Sequence, residues 1–300
     1  MLVTSEGPWG KGRWFICDDS HRQYIANAST LIGSAYEGET PTIVEDGFLL
    51  ERTPKSPIGR RIVRPPLRRI KSSLDMREVA TGGLSGTGIE FGAGASPLAV
   101  PMGVNVLFAD TFTYQELIQN AYKGQELNDI VHPDIILSFD SISSIKFPEE
   151  LDFIIACHVI EHVANPIRAI LDSLNILKSG GKIVLIVPDK RKTFDRKRRL
   201  TRISHLIEDF ESPNRDRDFE HFMDFYTHAM PPERRETIPR VAKENHNANF
   251  PIHYHTFTHH SFKKLLKAIK KLDCSPFDYW IRKARSTEVD IEFYVVITKR

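Results

Sequence analysis

The residues of this chain best able to do chemistry fall into two groups. The first is a glycine turn closing a strand-like run, Gly88-Ile-Glu-Phe-Gly-Ala-Gly-Ala-Ser-Pro97. Gly92 and Gly94 let the backbone bend with positive φ and approach a ligand with no Cβ in the way. Glu90 then stands at the carboxyl end of the strand, where open α/β sheets form their ligand sites. Asp110 lies 20 residues beyond Glu90, at the end of the next strand-like run, Val104–Ala109. An acid there can accept both hydroxyl protons of a ribose, so turn and acid together imply a nucleoside-type cofactor. The turn is not a phosphate cradle: it lacks a Lys-Ser/Thr pair, and Pro97 occupies the third glycine position of a dinucleotide fingerprint. Alone, the glycines also fit a tight structural turn, and Asp110 also fits a cap for the helix-like stretch Tyr114–Tyr122.

The second group is histidine, of which ten out of twelve follow residue 157. A histidine titrates near neutrality and can take a proton from a hydroxyl. His158, directly after the strand-like run Phe153–Cys157, is the first candidate base; His255, which shares a face of an extended segment with His253, is the second, and Asp189 the third. His162 reads as packing or hydrogen bonding at the entrance to a helix, and His259 with His260 as solvated surface after Thr258. His-x-His is also the spacing of a metal pair, but no cysteine or carboxylate triad of convincing spacing accompanies it, so no metal is expected.

The elements that must position these groups alternate. From Thr87 onward, strand-like runs (Gly88–Phe91, Val104–Ala109, Ile135–Ser138, Phe153–Cys157, Lys182–Val187) are interspersed with amphipathic helix-like ones, which indicates an α/β sheet, and the continuous apolar character of the last two suits buried parallel strands. The clearest helix follows Asn165-Pro166: Asn165 caps, Pro166 takes the first helical position, Ile167, Ile170, Leu171, Leu174 and Leu177 share a face, and Lys178 with Gly180 marks the end. Two final strand-like runs, Phe277–Ile281 and Ile291–Thr298, are too close for a crossover helix and should pair antiparallel.

Composition sets the outer bounds. The chain has 300 residues, 41% hydrophobic and 27% charged, the range of an ordinary globular protein of one large or two modest domains. No apolar run approaches a membrane span, and Met1-Leu-Val-Thr-Ser-Glu has no secretory character, so a cytoplasmic protein with reduced thiols is expected from three scattered cysteines. Residues 51–71 hold eight Lys/Arg against Glu51 alone; since the whole chain carries only +2, the remainder is about −5, which gives nucleic-acid binding no support. Residues 1–85, with Pro41, Pro54, Pro57, Pro65 and Pro66, read as an N-terminal extension and basic linker, with short β pieces around Arg13–Cys17 and Thr42–Leu50.

Glu90-x-Gly92-x-Gly94, Asp110, Asp152-Phe-Ile-Ile-Ala-Cys-His-Val-Ile-Glu161-His162 and Leu177-Lys-Ser-Gly-Gly-Lys-Ile-Val-Leu-Ile-Val-Pro188-Asp189 together resemble a class I S-adenosylmethionine-dependent methyltransferase over residues 86–300. The resemblance implies a Rossmann-like, mostly parallel sheet with a C-terminal antiparallel hairpin. It puts Glu90, Gly92 and Gly94 at the amino-acid part of S-adenosylmethionine, Asp110 on its ribose, and Ser138, Phe139 and Asp140 at the adenine, where the family's usual acid is displaced. With nine residues between Gly94 and Val104, the family's first helix must shrink to about a turn. Pro-Asp-Lys-Arg-Lys-Thr-Phe-Asp-Arg and Ile-His-Tyr-His-Thr-Phe-Thr are similar to a bacterial subgroup associated with surface-polysaccharide synthesis. Residues 189–255 form an insertion on the acceptor side, whose cations (Lys190 to Lys192 and Arg196 to Arg199) and aromatics (Phe219, Phe222, Phe225, Tyr226) suit an anionic, sugar-bearing acceptor. O-methylation of a saccharide or glycoconjugate precursor is therefore expected. A quinone or phenol methyltransferase, a non-catalytic S-adenosylmethionine-binding module and a nicotinamide oxidoreductase remain open.

Overall fold

The computed structural model describes residues 2–4, 15–17, 23–24, 76–122, 130–213, 215–272, 276–283 and 291–300. The β piece expected at Thr42–Leu50 and the basic tract 51–71 lie outside them.

A seven-stranded sheet forms the frame. In chain order its strands are β1 (Thr87–Phe91), β2 (Asn105–Asp110), β3 (Ile135–Ile136), β4 (Leu151–Cys157), β5 (Leu177–Pro188), β6 (Phe277–Lys283) and β7 (Glu292–Lys299). Their spatial order is β6-β7-β5-β4-β1-β2-β3. The five from β1 to β5 are parallel, β7 inserts antiparallel beside β5, and β6 pairs antiparallel with β7. This is the α/β Rossmann-like sheet with a C-terminal hairpin that the resemblance implied. β4 and β5 are apolar on both faces because helices cover both: Ile154, Ile155, Ile183, Val184 and Leu185 have no exposed surface.

The helices are α1 (Met76–Thr81), α2 (Tyr114–Glu116), α3 (Pro166–Asn175), α4 (Ile203–Glu211), α5 (Arg215–His228), α6 (Ile238–Asn247) and α7 (His259–Leu272). In α3, Asn165 Oδ1 accepts the Arg168 N–H at 3.0 Å with Pro166 in the first turn, and Ile167, Ile170, Leu171 and Leu174 are buried. The helix ends at Asn175, earlier than its apolar spacing suggested. Leu177 already pairs with Leu151 as the first residue of β5, and a register shift follows before Phe153 meets Lys182. The cap of α2 is Thr113, in a reciprocal capping box with Glu116, rather than Asp110. Residues 95–104 hold turns and no helix, so the first crossover is short.

α1 lies within the segment expected as an extension, yet Met76 and Ala80 join the apolar cluster that includes Val184, Tyr294 and Val296. Short pieces Leu2–Thr4, Phe15–Cys17 and Gln23–Tyr24 pair in succession, and the last pairs parallel with Ile145–Lys146. In the insertion, α5 and α6 enclose a small core of Phe222, Phe225, Tyr226, Ile238, Ala242 and Ile252.

Candidate active site

The cofactor side follows from the way β1 and β2 end. After β1 the chain turns through Gly92 (φ 64°) and Gly94 (φ 50°), both in the left-handed region. A Cβ on Gly92 would meet the Val159 side chain, and one on Gly94 would run into the Tyr122 hydroxyl, which accepts the Ala95 N–H at 3.0 Å. Glu90 is fully buried and its Oε1 accepts the Leu98 N–H at 2.9 Å, pinning the far end of the loop. Asp110 sits one strand over, half-buried, with Oδ1 accepting the Phe112 N–H at 3.0 Å. Burial raises its carboxyl above the ordinary range, against hydrogen bonds from the Phe112 and Thr111 backbone.

The Asp110 carbonyl accepts the Leu137 N–H, which brings Ser138 alongside. Ser138 Oγ donates to Asp140 Oδ1 at 2.5 Å, so these two form one polar edge. Phe139 does not join them: it is 2% exposed and packs on Phe91, ring centroids 4.9 Å apart, as part of the core. The positive-φ turn, the loop-pinning glutamate and the strand-end carboxylate fit the amino-acid and ribose parts of S-adenosylmethionine.

On the other side of the glycine loop, β4 ends in a turn at His158, itself a left-handed residue with φ 53°. Its Nε2 lies 2.8 Å from Glu292 Oε2 at the start of β7. Glu292 also accepts Arg77 Nε and Nη2 of α1, at 2.8 and 2.7 Å, and the Tyr294 hydroxyl at 2.8 Å. Burial would raise the Glu292 carboxyl, but the Arg77 and His158 hydrogen bonds hold it at about 2. Being ionised, Glu292 can only accept, so Nε2 of His158 carries the hydrogen and Nδ1 is left as the basic atom. Burial opposes charging of His158, but Glu292 and Glu161 outweigh it and raise its pKa above the ordinary histidine value.

The same turn carries Glu161 and His162. Glu161 is 1% exposed, with His158 Nδ1 at 3.6 Å and His253 Nε2 at 4.0 Å from its Oε1. Burial raises its carboxyl, against the pull of His253 and His158. His162 places Nδ1 on the Ile252 carbonyl at 2.9 Å, and burial beside His253 pushes its pKa down to about 3. His253 places Nδ1 on Asp195 Oδ2 at 2.6 Å. Asp195 is in turn held by the buried Arg198, which also donates to Asp224 and to the His253 and Tyr254 carbonyls. Arg198, one of the cations assigned to the acceptor by sequence, is thus an internal fastener.

The two other proposed proton carriers are placed elsewhere. His255 has no exposed surface, its Nε2 is 2.9 Å from the Ala164 carbonyl, and burial holds its pKa well below the ordinary value. It faces His221, His205 and Asp209 of the insertion rather than His253's neighbours, so the His-x-His pair divides between two clusters. Asp189 caps the turn after β5 and binds Arg191 through Nε at 2.8 Å and Nη2 at 2.5 Å. Burial would raise its carboxyl, but Arg191 keeps it below the ordinary range, which makes it a weak base. Sequence reasoning missed Glu292, Arg77 and Asp195. Glu161 was visible in His-Val-Ile-Glu-His, where a carboxylate stands three residues from one histidine and beside another.

Outside this cluster lies a cavity of about 660 Å³ lined by Lys192, Phe194, Arg196, Lys197, His228 and Arg235 among others. Phe194 is 45% exposed and its ring lies 4.6 Å from that of His253, so the basic cavity abuts the histidine cluster.

A sheet of this order, five parallel strands closed by a C-terminal antiparallel hairpin, is that of an S-adenosylmethionine-dependent methyltransferase. A family model described as a methyltransferase domain matches residues 68–269, and the chain belongs to that family. No curated protein matches it. Among solved structures it is similar to the plantazolicin methyltransferase BamL in complex with a triazolic desmethylPZN analog and SAH (11% identity, 71% of this chain and 76% of that one, TM-score 0.38). It is also similar to the plantazolicin methyltransferase BpumL in complex with SAH (14%, 75% and 80%, 0.38) and to a SAM-dependent methyltransferase of Thermotoga maritima (14%, 71% and 82%, 0.36). Among the described residues no helix is long and apolar enough to cross a membrane.

Proposed function

We propose that this enzyme O-methylates an anionic saccharide or glycoconjugate precursor in the cytoplasm. The observation that carries this reading is the basic cavity beside the histidine cluster. Four cations (Lys192, Arg196, Lys197, Arg235) suit a phosphate or carboxylate, and the exposed Phe194 ring offers an apolar face for a sugar at the mouth of the site. Residues 86–300 are the catalytic domain in this reading, residues 189–255 its acceptor-side insertion, and residues 1–85 an extension whose α1 contributes Arg77.

Glu90, Gly92 and Gly94 hold the amino-acid end of the cofactor, Asp110 its ribose hydroxyls, and Ser138 with Asp140 the adenine side. S-adenosylmethionine supplies an electrophilic methyl, whose carbon–sulfur bonding pair stays on sulfur as the bond to the acceptor oxygen forms. Most of the protein's contribution is alignment. His158 takes the hydroxyl proton on Nδ1, and ionised Glu292 on Nε2 fixes the tautomer and stabilises the imidazolium.

The test is methyl transfer from labelled S-adenosylmethionine to a panel of sugar phosphates and nucleotide sugars against quinols and phenols. Turnover confined to the charged saccharides is expected, and His158→Ala should lower it by roughly 10² to 10⁴ with little change in S-adenosylhomocysteine affinity. Preferential methylation of uncharged phenols would overturn the acceptor assignment.

A further inference from the structure

We propose that Glu161, His162 and His253 form a site for a divalent transition-metal ion, with zinc the best match. One ligand atom from each falls within 4.8 Å of the others, and the three come from the turn after β4 and from the far end of the insertion. The Glu161 carboxylate is 1% exposed, and neither oxygen accepts a hydrogen bond among the described residues. A buried carboxylate left this way costs several kcal/mol unless a proton or a cation compensates it.

The histidines are oriented for the cation. Metal-binding imidazoles donate their outer N–H to a carbonyl or carboxylate and turn the other nitrogen inward. His253 has Nδ1 on Asp195, itself fastened by Arg198 at 2.9 Å, and turns Nε2 to Glu161 Oε1 at 4.0 Å; His162 has Nδ1 on the Ile252 carbonyl, which leaves its Nε2 as the nitrogen able to bind an ion. Two imidazoles and one carboxylate with a further position open are a known donor set for zinc in catalytic sites. The other histidine group, His205, Asp209, His221 and His255, is different: His205 and His221 join through Nε2 atoms 3.2 Å apart, and His255 Nε2 is bonded to Ala164, so those nitrogens already have partners.

The cluster is bordered by His158 and by Phe194 at the cavity mouth. An ion there would bind the acceptor hydroxyl, lower its pKa and leave His158 to collect the proton. That consequence rests on the hydroxyl acceptor proposed above, whereas binding of the ion does not.

The experiment uses the full chain, stripped with chelator and dialysed against zinc, with metal content measured by mass spectrometry and S-adenosylhomocysteine affinity by calorimetry. One zinc per chain is expected, lost in Glu161→Gln and in His253→Ala and kept in His205→Ala, with cofactor affinity unchanged in all three. Asp195→Asn keeps every ligand and should weaken zinc binding about 10- to 100-fold, which covers the case in which a ligand variant fails to fold. Absence of stoichiometric zinc, or zinc that survives Glu161→Gln and leaves with His205→Ala, overturns the proposal.

Discussion

Glu292 offers a sharp test of how the site is held, because its charge is fixed by partners from three parts of the chain. Glu292→Gln keeps the shape and removes the charge that Arg77, His158 and Tyr294 share. Glutamate ordinarily titrates at 4.5 and Glu292 is held at about 2. At about 1.4 kcal/mol per tenfold, the network favours the ionised form by about 3 kcal/mol. The side chain is only 7% exposed, so solvent screens little of this. Urea unfolding at pH 7 should therefore show a loss of about 3 kcal/mol. A depressed carboxylate stabilises the fold above its unfolded value and stops doing so as pH falls through its folded value, so the gap between wild type and variant should be full above about pH 4.5 and close toward pH 2. The variant should also lower the His158 pKa, since the Glu292 hydrogen bond is the leading influence that raises it. The acid limb of the pH–rate profile then moves to lower pH. A loss under 1 kcal/mol together with an unmoved acid limb would show that the network is not what holds His158.

Asp110→Ala should weaken S-adenosylhomocysteine binding by about 2 to 4 kcal/mol in calorimetry while unfolding stays cooperative, because a hydrogen-bonded charge is removed from the ribose position; unchanged affinity would sink the ribose assignment. Arg196→Ala combined with Lys197→Ala alters two exposed cavity cations outside the proton-transfer machinery. It should raise KM for a charged acceptor at least tenfold with kcat within about twofold, and an unaltered KM would remove the acceptor from that cavity.

What was legible in the sequence was what local chemistry dictates. The glycine turn, the strand-end acid, the Asn165-Pro166 helix start and the terminal hairpin are each written within about twenty residues, and the structure has all four. The partners of His158 were not legible. Glu292 reaches it only because β7 runs antiparallel to β5 with Glu292 opposite Pro188, a register set by packing across 100 residues of chain. An extended segment predicts that His253 and His255 share a face, because alternate residues of a strand do. Their segment forms no strand, and one histidine turns to Asp195 while the other turns to Ala164. The family resemblance implies Phe139 at the adenine, but an apolar ring gains more against Phe91 than at a polar rim.

The two histidines nearest the expected chemistry are held alike. His158 rests on Glu292, fastened by Arg77; His253 rests on Asp195, fastened by Arg198. Burial would raise both carboxyls, yet hydrogen bonds from these partners keep both below the ordinary range. An ionised carboxylate behind an imidazole fixes which nitrogen carries hydrogen, so each ring presents its other nitrogen to the space around Glu161. The arginines come from opposite directions in sequence, Arg77 from the helix before the sheet and Arg198 from the insertion after it. The turn after β4 does not orient its histidine by itself: His158 is aimed by Glu292 of the C-terminal hairpin, which Arg77 of α1 fastens, and His253 is aimed by Asp195 and Arg198 of the insertion. The glycine loop and Asp110 are held by bonds within residues 90–112, Glu90 to Leu98, Gly92 to Ala109 and Asp110 to Phe112, which is why the proposed cofactor half of the site can be read from a short stretch of sequence and the proposed acceptor half cannot.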